Sequence, residues 1–335
     1  VTIMASNYYG GKNVETIDGV TVRRFSPNYA QTRAMIPLFL TRHTNEFDLV
    51  VDNVTVVPWL TPLYISKPII AVIHQLIQEL FMYELPAPLS WIAFKLEPTF
   101  YAPYRNIPIV CPGGESTAQS LRKVGIPREH VRVILGGAPS EYVANSSDAW
   151  SQKASFPMIV MLTRLERYKR LDLAIRAMSQ LRRQLPEAKL FIVGWGKQET
   201  ALKELVRTMG LQNCVAFTGP MYGKAKFDIL IKAHLHIWSL ASRDGCGLSI
   251  MEALACGTPS IAWNVPGPKD TIQDGKTGFL LPYGDVQALT MTIMEVLEND
   301  RLRRRLSDEA RRWASEHTWE HVATEFIQHV EETTS

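Results

Sequence analysis

Short β-branched runs alternate along the chain with stretches whose apolar residues recur at helical spacing. In the first half VTIMAS, VTVRRF, FDLVVDN, PIIAVIH, IPIVCP and VRVIL predict strands. In the second half PMIVML, LFIVG, CVAFTG, LHIWS, PSIAW and TGFLL do the same. Between PMIVML and LFIVG, the apolar residues Leu171, Ala174, Ile175, Met178 and Leu181 share one helical face. A helix there would be the crossover that two adjacent parallel strands require. Alternation of this kind predicts an α/β protein with parallel sheets. After Val286 the pattern is helical throughout, in VQALTMTIMEVLEND, LRRRLSDEARRWASEH and WEHVATEFIQHVEE. No repeat at a solenoid period is present.

The pattern breaks once, over GGAPSEYVANSSDAWSQKASF (Gly136–Phe156), which has no sustained period and is rich in Gly, Ser, Ala and Asn. The expected division is therefore a domain over 1–138, a linker over 139–155, and a second domain over 156–315. A closing helix over 316–335 is expected to pack back toward the first domain. Both domains read as Rossmann-like and face each other across a cleft. Ligands of such sheets bind beyond the carboxyl ends of the strands, which places the site in the cleft.

Composition narrows the function classes. At 335 residues, 46% hydrophobic and 21% charged, the chain is globular and long enough for two domains. A net charge of +3 is too small to point to nucleic acid. The basic run RLRRRLSDEARR is followed by acids at helical spacing, so a solvated helix face is expected there. Cys111, Cys214, Cys246 and Cys256 show no C-x-x-C spacing, which favours small buried thiols over a disulfide framework or zinc site. No stretch is long enough to span a bilayer, and no signal peptide is visible. The chain opens on Val1, directly in a strand-like run, so sequence upstream of it is expected.

Four stretches at strand ends of the second domain carry candidate chemistry. In PMIVMLTRLERYKR, Arg164 and Lys169 follow a strand and could hold a diphosphate, or could be a solvated pair of surface charges. In LFIVGWGKQE, Gly194 and Gly196 begin like a dinucleotide fingerprint. Glu199 stands at the third glycine position, which weakens a nicotinamide reading. Gly219 in FTGPMY gives another close-approach turn. The fourth stretch is SRDGCGLSIMEALACGTP (Ser242–Pro259). A helix starting near Gly247 leaves the amides of Cys246, Gly247 and Leu248 free to meet an anion. Gly245 and Gly247 allow close approach. Asp244 and Glu252 then flank a phosphate, where carboxylates serve best as acceptors for hydroxyls. The competing reading is an ordinary loop with Glu252 facing water. In the first domain His74 ends PIIAVIH at the cleft edge, where a structural and a functional role stand level. Gly10 and Gly11 in YYGGKN read as a turn.

Together these stretches resemble glycosyltransferase family 4, retaining enzymes of the GT-B fold that use nucleotide sugars. TRLERYKRLDLAI is similar to the family's G-R-L-x-x-x-K-G stretch, with Thr163 and Arg170 in place of its glycines. SRDGCGLSIMEALACGTPSIAW resembles the signature S-x-x-E-G-F-G-L-x-x-x-E-A-x-A-C-G-x-P, with Asp244 for the first Glu and Cys246 for Phe. DGKTGFLLPYGD follows it as in the family. HQLIQELFMYELPAPLSWIAFKLEPTFYAPYR and GGESTAQSLRKVGIPREHVRVILGG match the style of its amino-terminal domain. VTIMAS aligns with the second strand of that domain. The resemblance thus implies a chain lacking the first strand, glycine loop and helix, and so exposing a sheet edge that natural folds avoid.

What the resemblance implies is a retaining hexosyltransferase, with 1–138 on the acceptor side and 156–315 binding the donor. Arg164 and Lys169 go to the donor diphosphate, Asp244 to the transferred sugar, and Glu252 to the ribose. His74 goes to the sugar or reaction centre, and the Gly247 and Leu248 amides to phosphate and sugar. Gly194, Gly196, Gly219 and Gly245 line the donor site. With no Asp-x-Asp motif, no metal is expected and no cofactor beyond the UDP- or GDP-sugar substrate. The acceptor is open, a lipid-linked or cell-envelope glycan being compatible. A catalytically weak or inactive nucleotide-sugar-binding subunit is the alternative. Phe81, Tyr83, Trp91, Phe94, Phe100, Tyr101 and Tyr104 either fill the first domain's core or touch a membrane. The expected location is the cytoplasm, with a peripheral contact on the inner face of the membrane as the further expectation.

Overall fold

The computed structural model describes residues 1–55, 57–144, 150–241 and 245–334. Among these, thirteen strands form three sheets. In the carboxy-terminal domain the strands are β8 (Met158–Leu162), β9 (Lys189–Val193), β10 (Val215–Gly219), β11 (Leu235–Trp238), β12 (Ser260–Trp263) and β13 (Gly278–Leu281). All pair in parallel, in the order β10-β9-β8-β11-β12-β13. This is the doubly wound order of dinucleotide-binding domains, and it reverses between β8 and β11. The Leu171–Leu181 helix buries the face that the spacing predicted, including Leu171, Ala174, Ile175, Met178 and Leu181.

The amino-terminal domain divides its strands between two sheets. β1 (Thr2–Ala5), β2 (Val14–Ile17) and β3 (Val20–Arg24) pair in the order β1-β3-β2. Strand β2 went unrecognised in the sequence. Its signal is the two-residue Asp18–Gly19 turn, both residues left-handed at φ 48° and 80°, the geometry that tight hairpins favour. The second sheet is parallel, β4-β5-β6-β7, formed by β4 (Val50–Val54), β5 (Ile69–Ile73), β6 (Ile109–Cys111) and β7 (Val131–Val133). Where one sheet was expected there are two, because no described strand bridges β1 and β4. The Tyr29–Arg42 helix instead joins them by packing, with Ile36 and Leu40 against Met4 and Val50.

Two segments cross between domains. Tyr142, in the short Ser140–Ala144 helix, stacks on Phe227 at 3.7 Å. Lys153 donates to the Ala233 carbonyl at 2.7 Å and to Thr258 Oγ1 at 2.8 Å. Burial pushes the Lys153 ammonium down to about 7. The stretch Gly136–Phe156, where described, thus packs on the second domain. The final helix, Trp319–Thr334, returns to the first: Val322, Phe326 and Val330 cover Ile70, Val110 and Ile134. Arg132 pairs with Glu332 at 2.6 Å.

The aromatic segment divides. Tyr101 and Tyr104 are fully buried, whereas Trp91 is 59% exposed. The basic run is helical as expected, but Arg303 departs from a solvated face. It is buried and donates to the Val296 and Leu297 carbonyls, closing the preceding helix.

Candidate active site

The loops after β8 and β11 lie on either side of the strand-order reversal, the place where the sheet splays open to a ligand. Arg164 follows β8 and is exposed, its Nη2 donating to the Tyr168 hydroxyl at 2.5 Å. Lys169 is only 5% exposed, with Nζ 4.4 Å from the Trp238 ring centroid. A solvated surface pair is therefore the wrong description for Lys169. Burying an ammonium is costly, and the aromatic face offsets part of that cost. Arg170, at a family glycine position, adopts the left-handed conformation at φ 46° that glycine would take without strain. Asp172 grips its guanidinium at 2.9 and 3.0 Å, and the Tyr283 hydroxyl lies at 2.9 Å. The Asp172 hydrogen bond raises the Arg170 pKa above its ordinary value.

The glycines separate by cause. A Cβ on Gly194 would sit 1.9 Å from the Thr163 carbonyl oxygen, and one on Gly196 2.5 Å from that of Leu165. Both positions need glycine because the loop after β8 lies against them, whatever ligand is bound. Leu165 N donates to the Trp195 carbonyl at 2.9 Å, locking the two loops together. Gly219 has φ 74° and open space where a side chain would be.

Gly247 caps the Leu248–Ala255 helix at φ 67°, so the helix starts where the glycine spacing predicted. The Ile250 and Met251 amides donate to the Gly247 carbonyl at 2.7 and 3.4 Å, whereas the Leu248 amide, at the first helical position, has no intrahelical acceptor. Glu252 falls more than a turn further on, in a part-buried position. Its Oε1 lies 2.6 Å from Lys226 Nζ, a partner that sequence reasoning missed. Asp244 lies outside the described residues.

His74 follows β5 in the other domain. Its Nε2 is 2.7 Å from Asn53 Oδ1, so Nε2 carries the proton in this pairing and Nδ1 is left with the lone pair. Burial lowers the imidazole pKa. The His74 carbonyl lies near Gly245 of the other domain, where a Cβ would be in ordinary van der Waals contact with it at 3.6 Å. Gly136 packs more tightly: a Cβ there would lie 2.6 Å from Cys246 Sγ and 2.7 Å from Leu248 Cδ2, too close to fit. Asp270 completes the junction by accepting from the Ser116 amide at 3.3 Å, at the N-terminus of the Gly114–Lys123 helix. His74, Gly245, Gly247 and Leu248 are thereby brought to one edge of the domain boundary. Among the described residues no cluster of His, Cys, Asp and Glu is spaced to hold a metal. A surface groove of ≈ 610 Å³ lined by Arg176, Gln180 and Arg183 includes none of these residues.

Two facing Rossmann-like domains, with the second in doubly wound order, define the GT-B class of fold. The sucrose-phosphate synthase (tll1590) from Thermosynechococcus elongatus superposes with a TM-score of 0.81 at 19% identity, over 99% of this chain and 88% of that one. Anabaena Alr3699/HepE, solved in complex with UDP, superposes at 0.71 with 17% identity, over 93% of this chain and 86% of that one. The family described as glycosyl transferases group 1 matches residues 145–313, and the chain belongs to it. A curated relative, the GDP-mannose-dependent alpha-(1-6)-phosphatidylinositol monomannoside mannosyltransferase of Mycolicibacterium smegmatis, is 31% identical over 164 residues. That match covers 47% of this chain and 43% of the relative's length. No described helix is long and apolar enough to cross a membrane.

Proposed function

We propose that this chain is a family 4 type enzyme that moves a hexose from a nucleotide-diphosphate sugar to an acceptor with retention at the anomeric carbon. The observation that supports this most is the convergence at the strand-order reversal. Cations in the loop after β8 and the helix that follows β11 flank that reversal, and the His74 carbonyl of the facing domain reaches Gly245 at the entry to that helix. Arg164 and Lys169 take the donor diphosphate, with the Gly247 and Leu248 amides beside it. Gly245 and Gly219 give close approach, and Gly194 and Gly196 shape the wall. Glu252 accepts from the ribose, Asp244 from hydroxyls of the transferred sugar, and His74 stands at the reaction centre.

Bond cleavage leaves negative charge on the departing diphosphate. Fixed cations and amides that need no rearrangement stabilise that charge, a contribution that often dominates catalysis. The acceptor hydroxyl attacks from the face the diphosphate leaves, through an oxocarbenium-like state, and its proton passes to the departing diphosphate oxygen. The donor is a UDP- or GDP-sugar, in keeping with the UDP bound in the Anabaena structure and the GDP-mannose of the mycobacterial relative. The acceptor is a lipid-linked or cell-envelope glycan. Leu89, Trp91, Ile92 and Leu96 present exposed apolar surface on the Leu89–Phe100 helix, which supports a peripheral membrane contact there. Sedimentation with anionic vesicles checks this: Trp91→Ala/Ile92→Ala should release the protein, and no binding by wild type removes the membrane contact.

The test of the transfer itself is turnover and calorimetry on a panel of UDP- and GDP-sugars. Asp244→Ala should abolish most turnover while leaving nucleotide diphosphate affinity nearly intact. Arg164→Ala/Lys169→Ala should weaken diphosphate binding, with little effect on the free nucleoside. Unchanged turnover in Asp244→Ala, or unchanged UDP and GDP affinity in the double variant, would overturn the assignment.

A further inference from the structure

We infer that Lys226 is a positioning residue for Glu252 and hence part of how the site distinguishes ribose from other groups. This rests on the reading of Glu252 as the ribose acceptor.

The Gly223–Lys232 helix carries three lysines, and the fold treats Lys224 and Lys226 differently. Lys224 pairs with Asp228 on the same helix, its side chain 81% exposed, as a solvated helix face would have it. Lys226 turns inward. Its side chain is 23% exposed, its Nζ lies 2.6 Å from Glu252 Oε1, and the Glu252 side chain is 20% exposed. The pair joins two helices across 26 residues of sequence, so local helix geometry does not account for it. The Lys226 ammonium also lies 4.6 Å from the Phe227 ring centroid, which restricts where it can go. Exposed ion pairs contribute little, but a part-buried pair with a fixed partner holds geometry.

A carboxylate that reads hydroxyls next to a diphosphate faces two demands. It must stay ionised and aimed, because only a correctly pointed acceptor discriminates. It must also not repel the phosphates, and the Lys226 charge at contact distance offsets the Glu252 charge locally. One oxygen, Oε1, is held by the ammonium. Among the described residues Oε2 takes no hydrogen bond or ion pair, which leaves it for a hydroxyl. Lys226 therefore acts through Glu252 and not on the phosphates directly.

Calorimetry with UDP, GDP and their 2′,3′-dideoxy analogues tests this on the full chain. Lys226→Met should weaken the ribonucleoside diphosphate about tenfold, one charged hydrogen bond's worth, and leave the dideoxy analogue unchanged. Lys226→Arg should restore the ribose preference, which a merely structural role would not require. Lys226→Met/Glu252→Gln should bind no more weakly than Glu252→Gln alone, since both remove one arrangement. If Glu252→Gln treats ribose and dideoxyribose alike, or wild type binds neither diphosphate, the ribose reading fails and the inference with it. If Glu252→Gln loses the preference but Lys226→Met keeps it, or weakens both ligands equally, only the role of Lys226 is overturned.

Discussion

In the carboxy-terminal domain, successive residues of β8 point into two separate cores, Met158 and Val160 into one, Ile159 and Met161 into the other. Helices of that domain supply most of both cores, with Ile77 and Leu80 of the first domain added to one, so its sheet is covered mainly from within. In the amino-terminal domain β5 alternates in the same way, Ala71 and Ile73 to one side, Ile70 and Val72 to the other. There the second side is covered by Val322, Phe326 and Val330 of the last helix, about 250 residues further along the chain. One domain is completed mainly by its own segment of chain, and the other by the end of the chain. The first therefore has a local source of stability, and the second depends on how the two domains are tied.

The largest effect should come from ending the chain after Thr318. Losing three apolar residues that cover β5, β6 and the segment after β7 should destabilise the first domain by on the order of 4 kcal/mol, at 1.5–3 per fully buried residue and less for these half-buried ones. Calorimetry should then resolve a first-domain transition well below that of the second; a single unchanged transition would break the comparison. Acid should act in the opposite sense, on the second domain. Burial holds His236 down to about 3 and His234 to about 4, both in that domain. The unfolded chain binds these protons near the ordinary value of about 6.5 while the folded one does not, so stability falls as pH drops below it. His236 alone should remove about 3 kcal/mol by pH 4, and His236→Asn should flatten the denaturant-midpoint profile between pH 6.5 and 4.

A smaller effect, confined to the first domain, is expected from Tyr104→Phe. The Tyr104 hydroxyl donates to the buried Asp52 carboxylate and accepts from the Leu60 amide at 2.8 Å. Removing it should cost about 2 kcal/mol, leaving a buried acceptor and donor short of one partner each. Thr61 Oγ1, at 2.7 Å from Asp52, limits the loss. The smallest change should be Arg170→Gly, within about 1 kcal/mol of wild type by denaturant melt. Relief of the left-handed strain opposes the loss of a part-exposed ion pair with Asp172.

Sequence legibility followed the same divide. All six strands of the second domain could be read because strands largely buried on both faces, as β8, β11 and β12 are, appear as near-continuous apolar runs, a pattern the edge strands β10 and β13 keep in part. The strand β2, VETI, carries no such run and was betrayed only by its Asp-Gly turn. The replacement of a family glycine by Arg170 could be seen in the sequence, but not that Asp172 and Tyr283 hold its side chain there. Gly194 and Gly196 were legible as glycines that something must approach closely. That the neighbour is the backbone of Thr163 to Leu165 could not be read.

By itself the sequence determined the α/β class, the second-domain strands, the capped helix at Gly247 and the candidate charges Arg164, Lys169 and Glu252. These depend on periodicity and backbone preference, which act over a few residues. Only the tertiary structure decided that Lys226 and not Lys224 meets Glu252, and that Lys169 is buried against Trp238. It alone brought the His74 carbonyl against Gly245. Such pairings join residues far apart in the chain, and no local preference encodes them. They are set by which faces must be buried together, a property of the whole packed core.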